Sequence, residues 1–171
     1  MKKYMWKVLM DRSSIQVKVR YMKIGLIIAD FKKFTGAIHA GDHFKNPEIQ
    51  FSIDAGSVNT HDKGIDKQIC SGRFLSVKNY PQILFSAING CIPSSGGILE
   101  LTGNLSVKAI TRPITLVVNS SVLRVEERKN VASFNLFGSI SMKDFELECE
   151  LNDSLEDHLH IQTTLFLQKI D

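Results

Sequence analysis

Five histidines are the first residues to weigh for chemistry: His39, His43, His61, His158 and His160. His158 and His160 stand two apart, so on a strand both rings project from one face. Such a pair binds zinc when a third ligand faces it. The nearest acids in sequence, Glu156 and Asp157, belong to a turn, and a solvated strand edge is the better reading. His39 and His43 flank a turn, and His61 opens a helical region. The cysteines, Cys70, Cys91 and Cys149, are odd in number and form no CxxC pair. That argues against structural zinc and a disulfide framework and for small buried hydrophobes. Cys70 follows Ile65 and Ile69 on one helical stretch, a place for burial rather than nucleophilic attack. There is no GxSxG and no phosphate-cradling glycine loop, and Asp54, Asp62, Asp66 and Glu100 form no readable pair of carboxylates. The chain reads as a non-enzyme with no metal site.

Composition narrows the remaining classes. The 171 residues are 43% hydrophobic and 23% charged, which suits one globular domain over residues 1–171. Lys plus Arg is 21 against 18 for Asp plus Glu, and the resulting charge of +3 is too small to imply nucleic acid. No run approaches the ~18 apolar residues of a membrane helix. The basic start, Met1 to Lys7, is not followed by an unbroken apolar run, because Lys7, Asp11 and Arg12 interrupt it. No signal peptide is expected, which makes the protein cytoplasmic, or periplasmic if a leader was removed.

The elements that must position any site are mostly strands. Ile15, Val17, Val19 and Tyr21 alternate with Gln16, Lys18 and Arg20, the period of a half-buried strand. Residues 22–31 suggest a helical turn or loop entering a second strand, and Ala40 to His43 a turn. Ile49, Phe51 and Ile53 alternate again. Residues 57–79 form the one helical region, with Thr60 or Asn59 as its cap and Ile65 and Ile69 on one face. Further strands carry Ile83 and Phe85, then Leu99 to Val107, Ile114 to Val122, Phe134 to Ile140 and Leu159 to Leu167. A turn is expected at Pro93 to Gly97, a charged loop at Glu126 to Asn130 and an acidic turn at Asn152 to Asp157. Roughly eight long strands with short turns predict an all-β, antiparallel closed barrel with one short helical excursion, because closure removes edges. The inward positions Leu99, Leu101, Leu105, Leu116 and Leu165 carry no charge, and Gly103 and Gly138 sit inside strands. Such an interior either fills solidly or leaves an apolar tunnel.

Several motifs together resemble the YceI-like family, the lipocalin-like polyisoprenoid-binding proteins. They are Asp11-x-Ser13-Ser14-Ile15-x-Val17-x-Val19, Phe31-x-x-Phe34-x-Gly36-x-Ile38 and Asp54-Ala55-x-Ser57-Val58-x-Thr60. Phe74 before Tyr80-Pro81-x-Ile83-x-Phe85 follows, then Gly103-Asn104-Leu105-Ser106-Val107-Lys108-x-Ile110-Thr111-Arg112-Pro113-Ile114, and finally Ser141-Met142-Lys143-Asp144-Phe145. They occur in the family's order and span nearly the whole chain. The resemblance implies an extended eight-stranded lipocalin-like barrel that encloses a long-chain lipid, such as an isoprenoid quinone or a fatty-acid-like amphiphile. It also implies a homodimer, a link in some members to stress response, and no cofactor beyond the bound lipid. The chain departs from the family at Ser13 and Tyr21, where histidines are common, and at Ile65-Asp66 and Gln68-Ile69, where arginine-aspartate and histidine-leucine are common. Uncharged replacements suit a less polar ligand or a barrel that has lost its cargo.

On this reading Ile15, Val17 and Val19 line one wall. Phe31, Phe85, Leu101, Leu105 and Leu116 surround the tunnel, and Tyr21, Asp66 and Gln68 stand at its mouth. There Tyr21 and Gln68 would hydrogen-bond a head group while Asp66 orients a neighbour. The alternative is a structural or interaction protein with a filled barrel and a dimer face.

Overall fold

A computed structural model describes residues 2–41, 44–88, 98–126, 130–149 and 152–170. Eight antiparallel strands close a barrel. In order round the ring they are β1 (Tyr4–Val8), β4 (Phe34–Ala40), β5 (Glu48–Asp54), β7 (Gln82–Ile88), β8 (Ile98–Val107), β9 (Ile110–Glu126), β10 (Val131–Ser141) and β11 (His158–Ile170). Closure comes from β1, which pairs with β4 on one side and β11 on the other. Three more strands branch from β11: β2 (Ser14–Tyr21), β3 (Gly25–Phe31) and the two-residue β6 (Val58–Asn59). Thus β1 and β2 share β11 end to end, β1 opposite Leu167 to Ile170 and β2 opposite His160 to Thr164. Phe166 straps the link between them: its carbonyl accepts from Leu9 N at 2.8 Å and its amide donates to Ser13 Oγ at 2.9 Å.

The period-two pattern predicts which side chains point inward. Ala132, Phe134 and Leu136 are buried on β10, as are Ile15 and Val19 on β2, while Ser14 and Arg20 are exposed. One end of the barrel is plugged by aromatic rings. Trp6 lies 4.9 Å from Phe44, and Phe44 meets Phe134 edge-on at 5.1 Å. Such pairs contribute about 0.5–1.5 kcal/mol beyond the area they bury. The other end is covered by α1 (Lys63–Cys70), residues 71–80 and the loop after β10. Among the described residues no helix is long and apolar enough to cross a membrane.

Three local expectations change. Residues 22–31 are a turn at Met22 to Ile24 entering a strand from Gly25, as expected, whereas the helical region 57–79 narrows to Lys63–Cys70, with Val58–Asn59 a short strand. The strand Tyr4–Val8 adds to the expected set, and its burial alternates: Trp6 is buried, Tyr4 and Val8 are half-buried, and Met5 and Lys7 are exposed. The helix is capped by Asp62 rather than Thr60 or Asn59: Asp62 Oδ1 accepts from the amides of Gly64 at 2.9 Å and Ile65 at 3.1 Å. His43, Cys91, the Pro93 to Gly97 turn, the side chain of Leu99 and most of the Glu126 to Asn130 loop lie outside the described residues.

Candidate binding cavity

The barrel is hollow. A cavity of about 210 Å³ lies inside it. Every barrel strand except β1 contributes to its wall, together with β2, β3, Val58 of β6 and the α1 residues Ile65, Gln68 and Ile69. Among the described residues Gln68 and Thr163 are the only lining ones with a side-chain nitrogen or oxygen, and Cys149 adds a thiol. Among the described residues no charged residue lines the wall.

Glycines explain part of the hollow. A Cβ on Gly36 would stand 2.6 Å from the Phe51 ring, and one on Gly103 would stand 2.5 Å from the Phe85 ring. Both rings therefore lie over a bare stretch of the neighbouring strand instead of crossing the axis. Leu116 does the same at Gly138, where a Cβ would meet its Cδ2 at 2.6 Å. Three bulky inward side chains fold against the wall, which leaves space at the centre.

The two ends of the cavity differ. Towards the Trp6 plug the lining is fully buried, with Ile38, Val118 and Phe134 at 2% exposure or less. Towards α1, Ile27, Ile69, Ile114, Ile140 and Ile161 keep accessible surface. The cavity therefore opens at the α1 end. The cover there is held by backbone bonds, Leu75 N to Ile69 O at 3.0 Å, Val77 N to Cys70 O at 3.2 Å and Glu148 N to Arg73 O at 3.0 Å. No residue of α1 is fully buried, which makes it the most weakly packed part of the cover.

Of the sequence-derived candidates, Ile15, Val17, Val19, Phe31, Gln68, Phe85, Leu101, Leu105 and Leu116 all lie on this wall. Tyr21 and Asp66 do not. Tyr21 is half-buried, and its backbone bridges to Leu155. Asp66 accepts from Thr60 N at 2.8 Å and Thr60 Oγ1 at 2.6 Å, so it braces the chain entering α1. Residues absent from the sequence-derived set also line the cavity. Thr163 was readable, since it shares the parity of Ile161 and Leu165. Met142, Leu147, Cys149 and Leu155 come from irregular segments, where no period marks an inward side.

The chemistry-bearing residues stay apart. Burial first, then the charges of Asp66 and Asp54, pushes the pKa of the Cys70 thiol up from its ordinary value, which disfavours the thiolate. His158 stands 4.0 Å from Asp157 at the surface. Among the described residues no three of His, Cys, Asp or Glu gather as a metal site.

Comparison with known proteins agrees with this architecture. The chain is 26% identical over 147 residues to Protein YceI of Salmonella newport, covering 84% of this chain and 75% of that protein. Its fold is similar to that of Burkholderia cenocepacia BcnA, with a TM-score of 0.81, 21% identity and coverage of 93% and 98% of the two chains. A polyisoprenoid binding domain from Saccharophagus degradans, implicated in plant cell wall breakdown, gives a TM-score of 0.69 at 14% identity over 95% and 97% of the chains. The model of the YceI-like domain matches residues 6–166. With nearly the whole barrel inside that match, the chain belongs to the YceI-like domain family.

Proposed function

We propose that this protein binds and carries a long-chain apolar or amphiphilic lipid, an isoprenoid quinone or a fatty-acid-like molecule, inside the barrel. The observation that carries the reading is the cavity wall, apolar apart from Gln68, Thr163 and Cys149. The volume of about 210 Å³ exceeds the roughly 150 Å³ of an apolar cavity that stays dry and takes up benzene. Length decides the ligand class. Each buried methylene contributes about 0.8 kcal/mol, whereas association costs about 4–15 kcal/mol. Short hydrocarbons offset that cost only weakly, and a chain of ten or so methylenes gains a clear surplus over its lower end. The ten residues of β8, at about 3.4 Å each and tilted by ~40°, give the barrel an axis of about 25 Å. An extended tail lies along such an axis. The volume is small for a whole lipid, so the cover at the α1 end yields as the chain enters.

A wall without cations cannot neutralise a charged group. A neutral head such as a quinone suits the interior, with Gln68 as hydrogen-bond donor, and an acidic head remains outside. The polyisoprenoid-binding fold relative from Saccharophagus degradans supports the same ligand class. Native mass spectrometry of gently purified protein tests the reading. A co-purifying lipid, or uptake of an added quinone or fatty acid, is expected. A clean spectrum with no uptake of either sinks the carrier function and leaves the rival of a structural or interaction protein. A homodimer belongs to the proposal, and light scattering checks it.

A further inference from the structure

Beside the open end of the cavity the β2–β3 hairpin breaks the usual surface pattern. A strand with one face on a core is expected to place polar residues on the other. On β3 the inward residues Ile27, Ala29 and Phe31 line the cavity, yet the outward Leu26 and Ile28 are also apolar, at 56% and 39% exposure. At the tip Met22 is 60% exposed and Ile24 is 96% exposed. Ordinary turn chemistry would place asparagine or glycine here, because left-handed backbone disfavours other side chains. Instead Met22 (φ 50°) and Lys23 (φ 64°) hold left-handed backbone with long side chains. The tip is braced from behind, since Met22 N donates to Ser154 O at 2.7 Å and Glu156 N donates to Arg20 O at 3.1 Å.

Basic side chains flank the apolar ones. Arg20 lies directly opposite Leu26, and Lys18 opposite Ile28. Lys23 sits in the turn. Lys18 is partly engaged, donating to Gln162 at 2.8 Å, whereas Arg20 and Lys23 are exposed. Apolar residues bordered by Arg and Lys match the boundary between acyl chains and anionic head groups, where the apolar groups insert and the cations stay at the surface. A second copy of the hairpin fits less well, because it would bring like charges together.

We propose that the β2–β3 hairpin is a membrane-docking element that seats the open end of the barrel on an anionic lipid surface. Its purpose, exchange of cargo with the bilayer, rests on the lipid-carrier reading, but the docking itself does not. Ile24, Leu26 and Ile28 enter the interface while Arg20 and Lys23 meet the head groups. The exposed acids Asp153 and Glu156 on the bracing loop lie beside the tip and limit the net attraction, so both the apolar and the basic parts are needed.

The test is co-sedimentation with vesicles of phosphatidylcholine alone and of phosphatidylcholine mixed with phosphatidylglycerol. The full chain is expected to bind the mixed vesicles preferentially. I24S/L26S changes only exposed side chains and is expected to lose roughly tenfold or more in partitioning. R20Q/K23Q is expected to lose the preference for the anionic vesicles. Failure of the full chain to bind either vesicle overturns the proposal, as does unchanged binding by I24S/L26S. A dimer that I24S/L26S dissolves, without vesicle binding, overturns it in favour of a second copy. Uptake of a fluorescent fatty acid supplied as aqueous monomer separates the two readings. Docking without uptake removes the cargo function and keeps the hairpin's role, whereas uptake without docking does the reverse.

Discussion

Filling the apolar cavity with side chains of the barrel itself should both strengthen the fold and block its use. At about 24 cal/mol per Å³, the volume of about 210 Å³ corresponds to a ceiling near 5 kcal/mol. That is a large share of the roughly 5–15 kcal/mol that holds a typical domain together. Ile114 and Ile161 both line the open half of the cavity and keep accessible surface. Replacing both with phenylalanine places two rings in the void. If they recover about half of the ceiling, I114F/I161F gains about 2–3 kcal/mol, or roughly 5–10 °C in melting temperature for a chain of this size. A saturating lipid should do the same for the unmodified protein, since a ligand at a hundred times its Kd contributes about 2.7 kcal/mol. Calorimetry with and without added quinone, beside a fluorescent-lipid titration, reads all of these quantities. The expected pattern is a raised melting point, no further rise with lipid, and lost uptake in I114F/I161F. A variant that melts lower by the ~1–3 kcal/mol of an overpacked core, and still takes up lipid normally, would refute the reasoning. The site would then lie elsewhere, and the void would be too tight to accept a ring.

Other perturbations probe the framework. Trp6→Ala opens the plug against Phe44 and should cost about 3–5 kcal/mol, read as a fall in the urea midpoint. Asp66→Ala leaves the half-buried Thr60 amide without its 2.8 Å acceptor, at about 1–3 kcal/mol, and hydrogen exchange should show the amides of α1 losing protection. A Cβ at Gly103 meets the Phe85 ring at 2.5 Å and the Ser86 carbonyl at 2.7 Å, so Gly103→Ala should destabilise by about 1–3 kcal/mol in the same urea assay. The hydroxyl of Ser141 donates to Asp157, and this bond, outweighing partial burial, holds the carboxyl below the ordinary aspartate range. A depressed folded value means that the stabilisation is present above the unfolded pKa of about 3.9 and is lost as pH falls through the folded value. Ser141→Ala should flatten that part of the acid-side loss in urea midpoints measured between about pH 5 and pH 2.

What was legible in the amino-acid string follows the range of the forces involved. Inward and outward sides of β8 and β11 are local, because a period of two needs only the next few residues, and Leu101, Leu105 and Leu165 could be placed inside on that ground alone. Ring closure is not local. Strand β1 reaches Ile38 on one side and Lys169 on the other from Trp6, and its own five residues bury only that one side chain. Asp66 shows the same limit for polar groups. Its place near the helix suggested a role at the mouth, but Thr60 lies close enough in space to claim its carboxylate. The hollow is the least local feature. Leucine and phenylalanine along an inward face fill a barrel or leave it open depending on where each ring can turn. That depends on what lies across the strand pair, as with Phe51 directly opposite Gly36. A glycine on the inward parity, paired through the register with an aromatic, is therefore the pattern that marks an opening. Gly36 opposite Phe51 carries it here, and Gly103, diagonal to Phe85 across the β7–β8 pair, is its variant; converting either glycine to a residue with a Cβ should push its ring towards the axis and reduce lipid uptake as well as stability.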